Sequence, residues 1–289
     1  MIALCDEGST EVNMSANSKV WFITGTSRGF GRVWAEAALA RGDRVVATAR
    51  NIGALKPIVE QYGNQVLPLE LDVTDPTSAK RAVGAAVAHF GRLDVVINNA
   101  GYGLFGMVEE VSEAQAREQF DTNFFGALWV TQAALPHLRA QGSGHIIQVS
   151  SIGGVTAFPF FGIYNASKWA LEGMSQALTA EVREFGVKVT LIEPMPYATD
   201  WSGPSAKQAE PMDEYDGVRT GILQMFGTMT PGDPQDSTAA MLKLVDTENP
   251  PLRAFFGNGA LEAIENDYTE RLSGWRGWRD VCDEAFGPN

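Results

Sequence analysis

The chain has 289 residues, 45% of them apolar and 20% charged, which suits one large α/β domain with a sizeable core. Its net charge of −13 argues against nucleic acid or an anionic membrane as a partner. Cys5 and Cys282 lie near opposite ends and suggest no disulfide framework, which fits a reducing cytoplasm; no apolar run is long enough to span a bilayer.

Residues 1–18 read as a mobile tail, polar and acidic, without the basic start and apolar centre of a signal peptide. Met14 offers a second start, which would make residues 1–13 an upstream extension. Lys19–Thr24 (KVWFIT) predicts a strand, followed by a glycine-rich turn and a helix to about Ala40. Arg44–Ala49 and Gln65–Leu71 predict two further strands, and a helix follows Asp75-Pro76. Leu93–Asn98 is the fourth strand, and Ser112 opens a long helix with Gln115 placed for a capping box. His145–Ser150, a helix from Gly162 to Phe185, and Lys188–Glu193 complete the regular part. Near-continuous apolar strands alternating with helices predict a doubly wound, Rossmann-type parallel sheet with helices on both faces.

No linker divides the chain after residue 19, so residues 19–289 read as a single domain. Residues 195–235, rich in Pro, Gly, Met and Tyr, read as a substrate lid, because a loop that long is usually functional or disordered. A helix at 234–246, a strand at Arg253–Phe256 and an acidic, Trp-bearing helical extension at 257–289 end the chain.

Thr24–Gly31 (TGTSRGFG) lies between a strand and a helix. Gly25 permits the tight turn, while Gly29 and Gly31 allow close approach, so that free N–H groups at the helix start face a pyrophosphate. Tyr164 and Lys168, four residues apart, share one face of their helix. An ammonium beside a phenol stabilises the phenolate and lowers the pKa from about 10. His89, His137 and His145 show no ligand spacing, so no metal is expected, and Ser151 has no evident histidine partner for a hydrolase triad.

Together these motifs resemble the short-chain dehydrogenase/reductase family in its shorter, single-domain branch: TGxxxGxG at Thr24–Gly31, Asn98-Asn99-Ala100-Gly101, Ser151, Tyr164 thirteen residues after that serine, and Lys168 four residues after the tyrosine. The likeness covers about Lys19 to Asp200. It implies a carbonyl reductase or alcohol dehydrogenase in which Tyr164 exchanges a proton with the substrate oxygen, Ser151 holds that oxygen, and Asn123 holds a water beside Lys168. It further implies that Gly25, Thr26, Ser27, Arg28, Gly29, Phe30 and Gly31 cradle the dinucleotide. Asp72 and Val73 would border the adenine, Asn99, Ala100 and Gly101 the ribose. Tyr164, Lys168, Pro194 and Thr199 would lie along the nicotinamide end. Ala49 stands where NAD-preferring relatives carry an acid, and Arg28 and Arg50 suit a phosphate dianion, so NADP(H) is expected over NAD(H).

The resemblance departs at Met195, where relatives usually place glycine. Met195 either narrows and greases the substrate pocket or diverts the backbone; the first is the favoured reading. Tyr102, Leu104, Phe158, Met195 and Tyr197, with Phe160, Phe161 and Trp201, are expected to line a pocket for a bulky apolar or aryl ketone. Met212, Met225 and Met229 fit lid contacts and buried packing equally. Relatives often pair through two long helices, here 112–139 and 162–185, so the resemblance implies a homodimer or homotetramer, with the acidic tail after Gly257 placed to obstruct a second interface. The alternatives are an NAD-dependent dehydrogenase of steroid- or retinol-like alcohols and a non-catalytic dinucleotide sensor. The intact Ser–Tyr–Lys–Asn set speaks against the sensor.

Overall fold

Every strand of the main sheet is parallel to its neighbours, as apolar runs joined by helical crossovers require. The computed structural model describes residues 18–203 and 205–287. The predicted tail over 1–18, apart from Ser18, and the alternative start at Met14 fall outside these residues.

The strands are β1 (Val20–Ile23), β2 (Arg44–Ala49), β3 (Val66–Glu70), β4 (Val95–Asn98), β5 (Leu104–Phe105), β6 (Gly144–Val149), β7 (Val187–Pro194), β8 (Lys207–Gln208) and β9 (Arg253–Phe256). The helices are α1 (Gly29–Ala40), α2 (Lys56–Tyr62), α3 (Pro76–Phe90), α4 (Glu113–Phe120), α5 (Gly126–Gln141), α6 (Gly162–Val182), α7 (Asp216–Gly227), α8 (Thr238–Asp246), α9 (Ala260–Gly277) and α10 (Arg279–Phe286). Seven strands run in the order β3-β2-β1-β4-β6-β7-β9. The order reverses between β1 and β4, which opens a crevice at their carboxyl ends.

Alternation along β1 shows why both faces are covered. Trp21 and Ile23 pack with α1, α2 and α8, whereas Val20 and Phe22 pack with α3, α5 and α6. All four are essentially inaccessible to solvent. Helix starts follow their caps: the Asp75 carboxylate accepts from Thr77 N–H before α3, and the capping box of Ser112 and Gln115 is formed before α4.

The region read as one long lid has structure of its own. It holds β8 and α7, and β8 pairs in parallel with β5. Gly232 donates to Pro196 O and accepts from Ala198 N–H, folding the segment back on itself. The Glu110 carboxylate accepts the N–H groups of Met107 and Met212 and an ion pair from Arg219, which ties the segment to the body. No helix among the described residues is long and apolar enough to cross a membrane.

Candidate active site

The glycine turn between β1 and α1 is closed by contacts that only glycine permits. Gly25 and Gly29 have φ of +71° and +57°. A Cβ on Gly31 would lie 2.4 Å from Gly25 O and 2.6 Å from Asn99 Nδ2. Asn99 Nδ2 donates to Thr24 O at 2.8 Å, and the Asn99 and Ala100 N–H groups donate to Thr24 Oγ1. β1 and β4 are thereby clamped at the crevice. The glycines leave a backbone-lined cradle at the start of α1, which fits a dinucleotide pyrophosphate.

That cradle opens into a cavity of about 890 Å³. Its walls bring together Gly25, Ser27, Arg28, Gly29, Phe30 and Arg50 on one side, and Asp72, Val73, Asn99, Ala100, Gly101 and Tyr102 on the next. Ser151, Phe158, Tyr164, Lys168, Pro194, Met195, Tyr197 and Thr199 complete the predicted set found there. Five predicted residues are not on the wall, Phe160 and four others. Thr26 is buried against β2, donating its hydroxyl to Thr48 O at 3.1 Å. Gly31 sits behind the turn and lets α1 close on it. Leu104 is only 1% exposed and is taken up in the pairing of β5 with Lys207, which corrects its assignment to the pocket. Asn123 lies behind Gly101, whose added Cβ would stand 3.1 Å from Asn123 Oδ1 and 3.7 Å from Lys168 Nζ. It occupies a π-helical turn, Asp121–Phe125, between α4 and α5. There its amide exchanges hydrogen bonds with the Tyr102 backbone.

Tyr164 and Lys168 both belong to α6 and both point into this cavity. Lys168 Nζ lies 5.8 Å from the Tyr164 ring centre and donates to Val149 O at 2.7 Å. Ser151 Oγ accepts from Gly153 N–H at 3.0 Å, which orients it beside the tyrosine. Burial pushes the Tyr164 hydroxyl up to about 12, and hydrogen bonding from Ser151 and Trp201 opposes this. Burial also brings Lys168 down to about 8, against the pull of Glu172. The sequence expectation of an acidified phenol is thus corrected for the protein alone: desolvation outweighs the hydrogen bonds that favour the phenolate, and the tyrosine is held protonated.

Met195 does not divert the chain. Its N–H donates to Phe256 O at 2.8 Å, continuing the sheet, and its side chain rests where a Cβ on Gly257 would be 2.6 Å away. Gly257 therefore makes the room that Met195 needs. The aromatic wall comes from Phe158, Phe161 and Trp201, with Trp201 edge-on to Tyr164 at 5.0 Å between ring centres. Phe160 is not on the wall; it packs edge-on against Phe105 and Phe161, and its φ of +71° is a left-handed conformation that costs a bulky residue energy.

Sequence reasoning missed Phe226 of α7 and Ala263 of α9, both on the wall. Apolar Ile222 and Phe226 at i and i+4 were a signal for α7; nothing marked Ala263. Of the lid methionines, Met229 reaches the cavity and Met212 and Met225 do not. Arg28 Nε stands 3.4 Å from Asp200, a half-exposed pair that joins the glycine turn to the loop after β7. Among the described residues no group of acids, histidines or cysteines could hold a metal ion.

A family model described as short chain dehydrogenase matches residues 19–210. Over 249 residues the chain is 41% identical to an oxidoreductase, BOA17, of Botryotinia fuckeliana, covering 85% of this chain and 91% of that one. A short-chain dehydrogenase from Streptomyces avermitilis superposes with a TM-score of 0.88 at 37% identity, over 94% of this chain and all of that one. An alcohol dehydrogenase from Thermococcus sibiricus, solved with 5-hydroxy-NADP, superposes with a TM-score of 0.69 at 27% identity, over 83% and 96% of the two chains.

Proposed function

This chain belongs to the short-chain dehydrogenase family, and on that premise, with the Thermococcus neighbour solved with 5-hydroxy-NADP, we propose that it is an NADP(H)-dependent carbonyl reductase or alcohol dehydrogenase of bulky, apolar substrates. One observation carries the reading: Tyr164, Lys168 and Ser151 converge in the cavity that the glycine turn opens. The dinucleotide, when bound, supplies or takes up the hydride. Tyr164, held protonated by burial, gives its hydroxyl proton to the carbonyl oxygen in reduction. Ser151 donates to the same oxygen as charge builds on it. In the oxidation direction the phenolate is needed, and Lys168 is the cation that makes it accessible. Asn123 supports the lysine's surroundings from behind Gly101.

The aromatic wall of Phe158, Phe161, Trp201 and Phe226 supports an aryl or otherwise bulky ketone over a sugar. Residues 195–235 act as the lid of this pocket. Arg28 and Arg50, both on the cavity wall, support a 2′-phosphate and so NADP(H). The Arg28–Asp200 pair favours a second reading, an NAD-dependent dehydrogenase of steroid- or retinol-like alcohols, because an acid there competes with a phosphate. Both partners are about half exposed, however, and such a pair is worth only about 0–1 kcal/mol, less than a phosphate gains from a guanidinium. Pairing of subunits through the outer faces of α5 and α6 belongs to the same reading, as does a cytoplasmic location. Arg271 of α9 already covers part of α6, standing 5.0 Å from the Trp169 ring.

NADPH consumption against a panel of aryl ketones, diketones, steroids and aldehydes tests the assignment. Turnover is expected with the bulky ketones and NADPH. A preference for NADH by about an order of magnitude, or about 1.4 kcal/mol, would reverse the cofactor reading.

A further inference from the structure

Behind the lysine lies a cluster of buried charge that the proposed chemistry does not use. Glu172 follows Lys168 by one turn of α6 and is 4% exposed; Glu193 of β7 is wholly buried. A single cation from β9 serves both. Arg253 Nε lies 2.9 Å from Glu172 Oε2 and 3.6 Å from Glu193 Oε1, and its Nη2 is spent on Gln176. Glu172 Oε1, both Glu193 carboxylate oxygens and Ser150 Oγ are left buried without a hydrogen bond of good geometry. Ser150 and Glu172 face each other across Gly154, where a Cβ would stand 2.5 Å from Ser150 Oγ and 3.3 Å from Glu172 Oε1. Helix α9 packs its apolar Ala260 and Ile264 in one cluster with Phe255 of β9 and Met195.

Two adjacent buried carboxylates with one guanidinium between them cannot both stay ionised at reasonable cost, and orphaned carboxylate oxygens lack a donor. A proton on one acid removes the repulsion and supplies that donor. Burial raises both acids, but Arg253 is nearer Glu172 and Ser150 also faces it, which leaves the proton to Glu193, pushed up by burial and by the Glu172 charge. The ionised Glu172 is then the acid that opposes the desolvation of Lys168.

We propose that Glu172 and Glu193 hold one proton between them, resident on Glu193, and that the ionised Glu172 is a positioning residue that keeps Lys168 cationic during turnover. The lysine's part in this rests on the function proposed above; the shared proton does not.

Infrared difference spectra of the protein with isotope-labelled glutamate, near neutral pH, read the proton directly. The carbonyl stretch of a protonated carboxylic acid is expected in the wild type and is lost in Glu193→Gln. Its absence from the wild type, a measurement that needs no variant, overturns the shared proton. The second readout is the high-pH limb of ketone reduction. Glu172→Gln moves that limb down by about one pH unit, with kcat reduced more than KM is raised, because the lysine loses its counter-charge. Glu193→Gln leaves Glu172 ionised, so its limb stays in place or moves up. Equal displacement in both variants overturns the role of Glu172, since lost packing does not distinguish them. A wild type that shows the acid band but turns over no carbonyl defeats the functional reading, and the lysine's part with it, while the shared proton stands.

Discussion

The chain before Pro194 and the chain after it build their walls of the cavity by different physics. The first part is periodic. Strand residues alternate between two helix layers, and the turn at Gly25–Gly31 is closed by backbone contacts that leave no space for a side chain. The second part is held by particular side chains: Trp201 against Tyr164, Phe226 against Phe161, Glu110 against Met212 and Arg219, Met195 against Gly257. The first part positions chemistry that a dinucleotide enzyme needs whatever its substrate. In the proposed function the second shapes the space that distinguishes one substrate from another.

Substitutions should separate the two regions, beginning with the largest effect. Trp34 of α1 is fully buried and donates its indole N–H to Ser237 Oγ at 2.8 Å. Trp34→Ala should cost about 3–5 kcal/mol of stability, read by denaturant unfolding. Phe226→Ala, in the second region, removes a half-buried ring, and its main effect should be on KM for bulky ketones; a stability loss as large as that of Trp34→Ala would erase the distinction.

The pH dependence of stability belongs to the first region. His145 lies inside β6, and its Nε2 stands 2.9 Å from Thr190 Oγ1, a hydroxyl that already donates to Pro251 O. Nε2 therefore carries the hydrogen, and Nδ1 is buried without a partner. Burial, with the Lys188 charge, brings the ring from 6.5 down to about 4. Below the unfolded value the unfolded chain binds a proton that the folded chain refuses, so stability falls as pH drops from 6.5 towards about 4, by about 3 kcal/mol in total. Unfolding titrations across that window should show a slope that His145→Gln flattens.

Smaller again is the cofactor effect. Arg28→Ala and Arg50→Ala should each weaken NADPH binding by about tenfold, the scale of one charge-assisted contact, with NADH little changed. Equal losses for both cofactors would mean that the guanidiniums hold the loop and not the phosphate.

The same division decided what the sequence revealed. The seven strands of the main sheet follow from apolar runs; β2 matches the expected bounds residue for residue because a strand buried along its length leaves a plain signal, and β9 matches too although it is a half-buried edge strand. The glycine turn and the Tyr164–Lys168 pair are visible because their spacing is local. The π-helical turn that carries Asn123 has no comparable mark, since it is one extra residue absorbed within a helix. Residues 195–235 read as a loop because Pro and Gly break their periodicity, although α7 lies within them. Leu104 was misplaced because only its pairing with Lys207, a hundred residues along, sends it inward. Ala263 reaches the cavity through a tertiary contact that an alanine cannot announce. The direction of the Tyr164 pKa escapes the sequence for a related reason: the lysine four residues on is written there, whereas the burial that raises the phenol is not.

The most direct measurement compares Tyr164→Phe with the parent enzyme, following both ketone reduction by NADPH and NADPH affinity. Loss of turnover by at least about a hundredfold with the dissociation constant nearly unchanged is the predicted result, because the variant loses one proton donor and nothing of the glycine cradle. A variant that keeps most of the parent rate would contradict the account.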